Sequence, residues 1–358
     1  MVRAFREFCG RYKLREVIPD SEEAAARRNL RLGILLCLTA TMFYSFANVC
    51  FKEMNALGMD DRWMIFVKEL FTITCLTPLI IYWTIRRQYH WPALKWIVCV
   101  LIGGFFCQYI GARLHLWAIG TVGLVVSIPL IQAANMSGAA GIGRVLLGDR
   151  ISTHCQIAMV IMLAAMCCLL FGPNQPDEKS AATTAQIGEA QELSAQPVVG
   201  KTLLLGGIGA LVAGFSYSVH IVLLRKASVS RQIPVTFIAV QITGTGAVIF
   251  GFEFLQENGF HLVAIWENVP LRAWWLILLT GFLNMIGFLF QINGVRYTVV
   301  ARSQMIAVAQ IVIGTLFGVF FYREMTNDMI WLGLALTVLG IYYASTPDQK
   351  ELSVEGNF

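Results

Sequence analysis

Lys68 and Glu69 are adjacent charges inside an otherwise apolar run, residues 63 to 84, and are the side chains of this sequence best placed to do chemistry. A charge within a bilayer costs roughly 2.5 to 3.5 kcal/mol on insertion scales, so its presence calls for a ligand, a coupled ion or an ion pair that fixes packing. Lys68 lies about six residues, hence about 9 Å, from the outer end of its run, which is deep yet within snorkelling reach. As a cavity-lining cation it would attract a carboxylate or phosphate. As a packing residue it would sit in an ion pair, and both readings stand. Glu69 is expected to project away from Lys68, because sequence neighbours do not share a helix face. Arg113, at comparable depth in the third run, is its expected partner in a structural or gating pair near the outer mouth; proton coupling through Glu69 is the alternative. His115 and His220 are the histidines within apolar runs, suited either to structural hydrogen bonds or to proton coupling near neutral pH.

Neutral polar side chains accompany these charges: Asn48, Gln108, Gln132, Asn135, Gln241, Asn284, Gln291, Asn293, Gln304 and Gln310. Interhelical hydrogen bonds account for some, at about 0.6 kcal/mol each. As a set they point to a wet, polar pathway, with Tyr44 and Tyr217 as candidate walls. The pathway candidates are therefore Tyr44, Asn48, Lys68, Gln108, Gln132, Tyr217, His220, Gln241, Asn284 and Gln304.

The elements that must position them are membrane helices. With 57% hydrophobic and 14% charged residues, the chain is too apolar to be an ordinary soluble protein of 358 residues. Ten apolar segments are long enough to cross a hydrocarbon core of about 30 Å. They run near 33 to 51, 63 to 84, 96 to 117, 122 to 147, 156 to 172, 201 to 224, 234 to 254, 273 to 293, 302 to 321 and 329 to 345. Barrel strands would alternate apolar and polar residues, whereas Gly33 to Phe51 is nearly continuously apolar. The expected fold class is an all-α polytopic membrane protein. Placing the N-terminus in the cytoplasm collects the tail cations with Arg86, Arg87, Lys95, Arg144, Arg150, Arg225, Lys226, Arg231, Arg296, Arg302 and Lys350 on the inner face. Lys52, Arg62, Arg113, Lys179, Lys201, Arg272 and Arg323 remain outside, so the charge bias predicts both termini inside, in the cell (inner) membrane.

The sequence is also written twice. Tyr44 to Lys52 reads YSFANVCFK and Tyr217 to Arg225 reads YSVHIVLLR; at the same offset Lys68 falls opposite Gln241. Gly148-Asp149-Arg150-Ile151-Ser152 is echoed by Tyr322-Arg323-Glu324-Met325-Thr326. The polar stretch 173–200 reads as an outer-side linker dividing five spans from five, and an odd number per half inverts the second half in the membrane. The expected organisation is a cytoplasmic tail (1–31), a five-helix domain (32–172), the linker (173–200), a second five-helix domain (201–345) and a cytoplasmic C-terminal tail (346–358). A short helix on the inner membrane surface and a solvated tail are both compatible with residues 1–31.

These paired motifs resemble the drug/metabolite transporter superfamily, specifically EamA-type members with two tandem five-span domains. The resemblance rests on Tyr44-Ser45 to Lys52 and Tyr217-Ser218 to Arg225, on Ala118-Ile119-Gly120-Thr121 and Gly294-Val295-Arg296-Tyr297-Thr298, and on the two closing motifs. The family usually has Trp where Tyr44 and Tyr217 stand and Glu where Asp149 stands; its early proline in the fourth helix is matched by Pro129 but not around Gln304. The resemblance implies two opposed bundles, with the first four helices of each half lining a central pathway and the fifth and tenth outside. It implies movement of metabolites such as amino acids, nucleotide sugars or drug-like compounds, often outward. The expected function is a secondary transporter of a small metabolite (amino acid, organic anion or drug-like compound), exporting it by alternating access between two inverted repeats. No cofactor is expected, nor a metal: Cys37, Cys50, Cys75, Cys99, Cys107, Cys167 and Cys168 lie within spans without C-x-x-C spacing. The expected partners are the bilayer, a small-molecule substrate and an optional coupling proton or ion, with no nucleic acid. A Walker-type motif is absent from the sequence, which argues against ATP as energy source. A membrane scaffold or signalling protein is the alternative; an intramembrane enzyme is disfavoured by the scatter of His90, His115, His154, His220 and His261 and the lack of H-E-x-x-H and G-x-S-x-G.

Overall fold

The computed structural model describes residues 22–86, 91–122, 124–149, 151–170, 200–229, 233–267, 269–322 and 328–346. Most of the linker, the outer parts of both tails, Arg150 and the Arg323-Glu324-Met325-Thr326 motif lie outside the described residues. Among the described residues every regular element is a helix: α1 (Glu22–Ala56), α2 (Asp61–Ile85), α3 (Leu94–Phe105), a π-helical segment (Phe106–Ala112), α4 (Arg113–Val122), α5 (Leu124–Leu147), α6 (Thr153–Leu170), α7 (Gly200–Val229), α8 (Val235–Glu257), a 3₁₀ turn (Leu262–Ile265), α9 (Leu271–Gly294), α10 (Val300–Ala307), α11 (Ala309–Tyr322) and α12 (Asp328–Ser345). Among them seven stretches are long and apolar enough to span a bilayer: Arg27–Phe51, Asp61–Ile85, Leu94–His115, Leu204–Val229, Val235–Glu257, Leu271–Gly294 and Asp328–Ser345.

The surface is apolar where lipid must be its solvent. Val145 is 82% exposed, Val248 72% and Phe320 71%, which water would not tolerate over so many helices. Three local expectations need correction. Residues from Glu22 onward extend the first spanning helix instead of forming a separate surface helix. The run 302 to 321 is two helices, because the Val308 N–H is shared between the carbonyls of Gln304 and Met305 and the ladder tightens there. Arg302, grouped by sequence with the inner-face cations, is 1% exposed within α10.

Helices of the first half pack mainly on helices of the second. α1 lies on α9, and α7 lies on α3, the π segment and α4. α5 crosses α7, while α10 and α11 contact α1; α2 meets α8, and α6 meets α12. The α5–α7 crossing depends on Gly214, where an added Cβ would stand 2.2 Å from the Ile131 carbonyl oxygen and 3.0 Å from the Asn135 nitrogen. At Gly138, within the small-residue pattern noted in the sequence, it would stand 2.3 Å from Ser218 Oγ. The α6–α12 contact is a separate apolar cluster containing Cys155, Ala158, Met162 and Ala344.

Candidate functional site

The polar residues gather along the seam between the halves. On α2, which starts at Asp61 with its N-terminus capped by the Asp60 carboxylate, Lys68 lies about 10 Å from the helix start. Its Nζ is 2.9 Å from Glu69 Oε1 and 5.7 Å from the centre of the Phe51 ring. Gln108 Nε2 donates to the same carboxylate oxygen at 3.0 Å, and Glu69 is only 4% exposed. The expectation that Glu69 turns away from Lys68 is thus corrected: the four-carbon lysine stem curls back far enough to reach its neighbour.

Gln108 reaches Glu69 from the π-helical segment. A π turn holds more residues than an α turn, and such segments recur at functional sites. The segment follows Gly103 and Gly104 and contains Gly111, and it packs against Gly246 of α8 and Tyr217 of α7. Cys107, beside Gln108, lies within electrostatic range of Lys68, Glu69, Tyr44 and Tyr217, so these groups share one region.

The two tyrosines of the repeated motif each bond across the seam. Tyr44 donates to Gln291 Oε1 at 2.8 Å, and Tyr217 Oη lies 3.2 Å from His115 Nδ1. His220 Nδ1 is 3.1 Å from the Gly103 carbonyl oxygen, and its ring stacks on Phe288. Gln241 Nε2 donates to the Ile97 carbonyl at 2.7 Å, and Asn135 Nδ2 to Gln304 Oε1 at 2.7 Å. Asn48 Nδ2 is 3.5 Å from Gln310 Oε1. Among the described residues Asn284 bonds only the Thr280 carbonyl of its own helix, at 3.2 Å. Among the described residues Gln132 Oε1, Gln241 Oε1 and Asn135 Oδ1 are buried with no hydrogen-bond partner, so the seam retains acceptors.

Arg113 does not pair with Glu69. Its guanidinium bonds Glu253 of α8 and lies 4.9 Å over the Tyr109 ring. Depth had suggested Glu69, but direction is set by helical phase, which the preceding π segment shifts; Lys68 and Gln108 already occupy Glu69. Glu253 was missed because nothing in its sequence neighbourhood announces the pairing. Among the described residues the Arg113–Glu253 pair is one of three joining the halves at this end, with Arg62–Glu257 and Arg272–Glu53, the last at 2.8 Å. At the opposite end Asp149 follows Gly148, whose φ of +70° lets the chain turn back. The Asp149 carboxylate accepts from Arg225 at 2.7 Å and from the Val300 N–H at 3.3 Å. Burial raises its pKa above the ordinary aspartate value, against the opposing pull of Arg225 and the Val300 N–H.

Residues 204–346 match the EamA-like transporter family. An EamA-like domain is thus detected over residues 204–346, which is consistent with the drug/metabolite transporter superfamily, and the apolar helices support an integral membrane protein. No curated protein matches the chain. A solved crystal structure, described simply as that of a protein, is similar over 87% of this chain and 97% of its own, at 17% identity and a TM-score of 0.61. At that identity the likeness concerns the fold alone. The family points to a transporter and away from an enzyme.

Proposed function

We propose that the protein is a secondary transporter that moves a small metabolite by alternating access, with ten spans arranged as two inverted five-helix halves, both termini cytoplasmic, and export as its direction. The observation that carries this is the Lys68–Glu69–Gln108 cluster, whose π-helical segment packs on Tyr217 and Gly246 of the other half. Inversion is supported by helix contacts that come in matched pairs. α1 on α9 is answered by α7 on α3 and α4; α5 on α7 is answered by α10 and α11 on α1; and α2–α8 and α6–α12 each join equivalent helices. Lys68 is the pathway cation, and with Glu69 beside it the site suits a zwitterion such as an amino acid better than a simple organic anion. The end bearing Glu53 is held closed by three ion pairs, so rocking of the halves must break them together.

Purified protein in liposomes, offered labelled amino acids, organic anions and organic cations with and without a pH gradient, tests the reading. Flux of one class that Lys68→Ala abolishes, in a variant that still elutes as a single species, is the expected result. Flux unaffected by Lys68→Ala would return that residue to a packing role. Absence of flux from every class would overturn the transporter reading.

A further inference from the structure

We infer that this transporter carries zwitterions in net fashion, down their gradient and without obligatory counter-exchange, because its pathway cation Lys68 travels with its own counter-ion, Glu69. The inference rests on the proposed placement of Lys68 in the pathway and adds the mode of transport.

An unpaired charge buried at a seam is strongly disfavoured. A carrier whose site holds a lone cation therefore reorients readily only when an anionic substrate neutralises it, and it exchanges one substrate for another. Here the cation is neutralised from within: Lys68 Nζ lies 2.9 Å from Glu69 Oε1, and Gln108 Nε2 holds the same oxygen at 3.0 Å. One positive and one negative charge leave the site with a net charge of zero before any substrate contributes.

The placement of the partners matters as much as their charge. Lys68 and Glu69 are successive residues of one helix, and Gln108 belongs to the same half. When the halves move against each other, the counter-ion moves with the cation. At that end Arg62–Glu257, Arg113–Glu253 and Arg272–Glu53 each join one half to the other and lack this property, while Arg62–Asp60, which shares it, is a half-exposed pair at the start of α2 and not at the buried seam.

A zwitterion leaves the balance unchanged. Its carboxylate takes Lys68 and its ammonium takes Glu69, so the loaded and unloaded forms carry the same formal charge and both can cross. A monoanion would leave the loaded site negative and a monocation would leave it positive. Glu69→Gln reverses the logic: the unloaded site becomes positive, a zwitterion leaves it positive, and a monoanion makes it neutral.

The test uses proteoliposomes either empty or preloaded with unlabelled compound. The probes are labelled alanine, leucine and phenylalanine and, separately, their N-acetylated forms, which keep the side chain and carboxylate but lose the ammonium charge. Wild type is expected to take up the amino acids into empty and preloaded vesicles at rates within about twofold, unaffected by an imposed potential. Glu69→Gln is expected to lose amino acid uptake by at least about tenfold, as befits a buried charge left unpaired. The same variant should gain uptake of the acetylated forms, confined to preloaded vesicles. That gain cannot arise from misfolding. Wild-type uptake confined to preloaded vesicles would overturn the inference while leaving a transporter in place, as would a Glu69→Gln variant that moves the acetylated probes no better than wild type. Wild type that moves no amino acid but moves another class would overturn the zwitterion assignment and the inference with it; no flux of any class would overturn the transporter reading.

Discussion

Under the proposed alternating access, neutralising Glu53, Glu253 and Glu257 together as glutamines should loosen the end of the protein where their ion pairs join the halves. Each acid faces a cation of the other half, and the three pairs sit at the edge of the seam: Arg272 is 68% exposed, Glu257 56% and Arg113 44%. At such exposure a pair contributes about 0.2 to 1 kcal/mol, so three together favour closure by about 1 to 2 kcal/mol. That is a factor of about 5 to 30 in the closed-to-open ratio. Cys50, buried one turn before Glu53 on α1, reports it. With the other cysteines replaced, its labelling by a membrane-impermeant thiol reagent from that side proceeds through the open population. The rate should therefore rise by about the same factor in the triple variant. Raising salt to about 1 M, where the Debye length falls to about 3 Å, should raise the wild-type rate in the same direction and the variant rate much less. An unchanged Cys50 rate in the triple variant would refute the idea that these pairs hold the end shut.

Other consequences are equally direct. Exchanging the charges as Arg113→Glu with Glu253→Arg should restore what either single change loses in transport, whereas Arg113→Glu with Glu69→Arg should not. Gly214→Ala must force α5 and α7 apart and should lower thermal stability in detergent by about 1 to 3 kcal/mol, while Gly207→Ala, whose Cβ would meet nothing closer than 3.8 Å, should cost little. Asp149→Asn tests the raised pKa of that carboxyl. A group that binds its proton more tightly in the folded state stabilises that state at low pH and loses the contribution as pH rises through the raised value, so the melting temperature of wild type relative to the variant should increase from about pH 7 to about pH 4.

The helices were legible because apolar length is written directly in the sequence: Asp61–Ile85 and Asp328–Ser345 lie within two residues of the expected runs. The need for a partner was legible for a related reason, since a glutamine or histidine in an apolar run must find one. Gln108, Gln304 and His220 each find one on another helix. Partner identity was not legible. Spacing gives the depth of Arg113 but not its azimuth, which depends on a π segment that close packing against Tyr217 and Gly246 accompanies. The break at Val308 and the burial of Arg302 likewise depend on what surrounds α10, and no proline or glycine marks them in the sequence. Asn284 illustrates the converse case, a polar residue in a span that simply bonds its own helix.

Alternating access requires the Lys68–Glu69–Gln108 region to open to one side of the membrane and then to the other. Cys107 sits beside that cluster and can serve as its single thiol once the other cysteines are replaced. Impermeant reagent applied to sided vesicles from the outside, and in parallel from within, should modify it from both directions, with saturating substrate slowing both reactions. Modification from one side only, however long the exposure, would contradict alternating access at this seam.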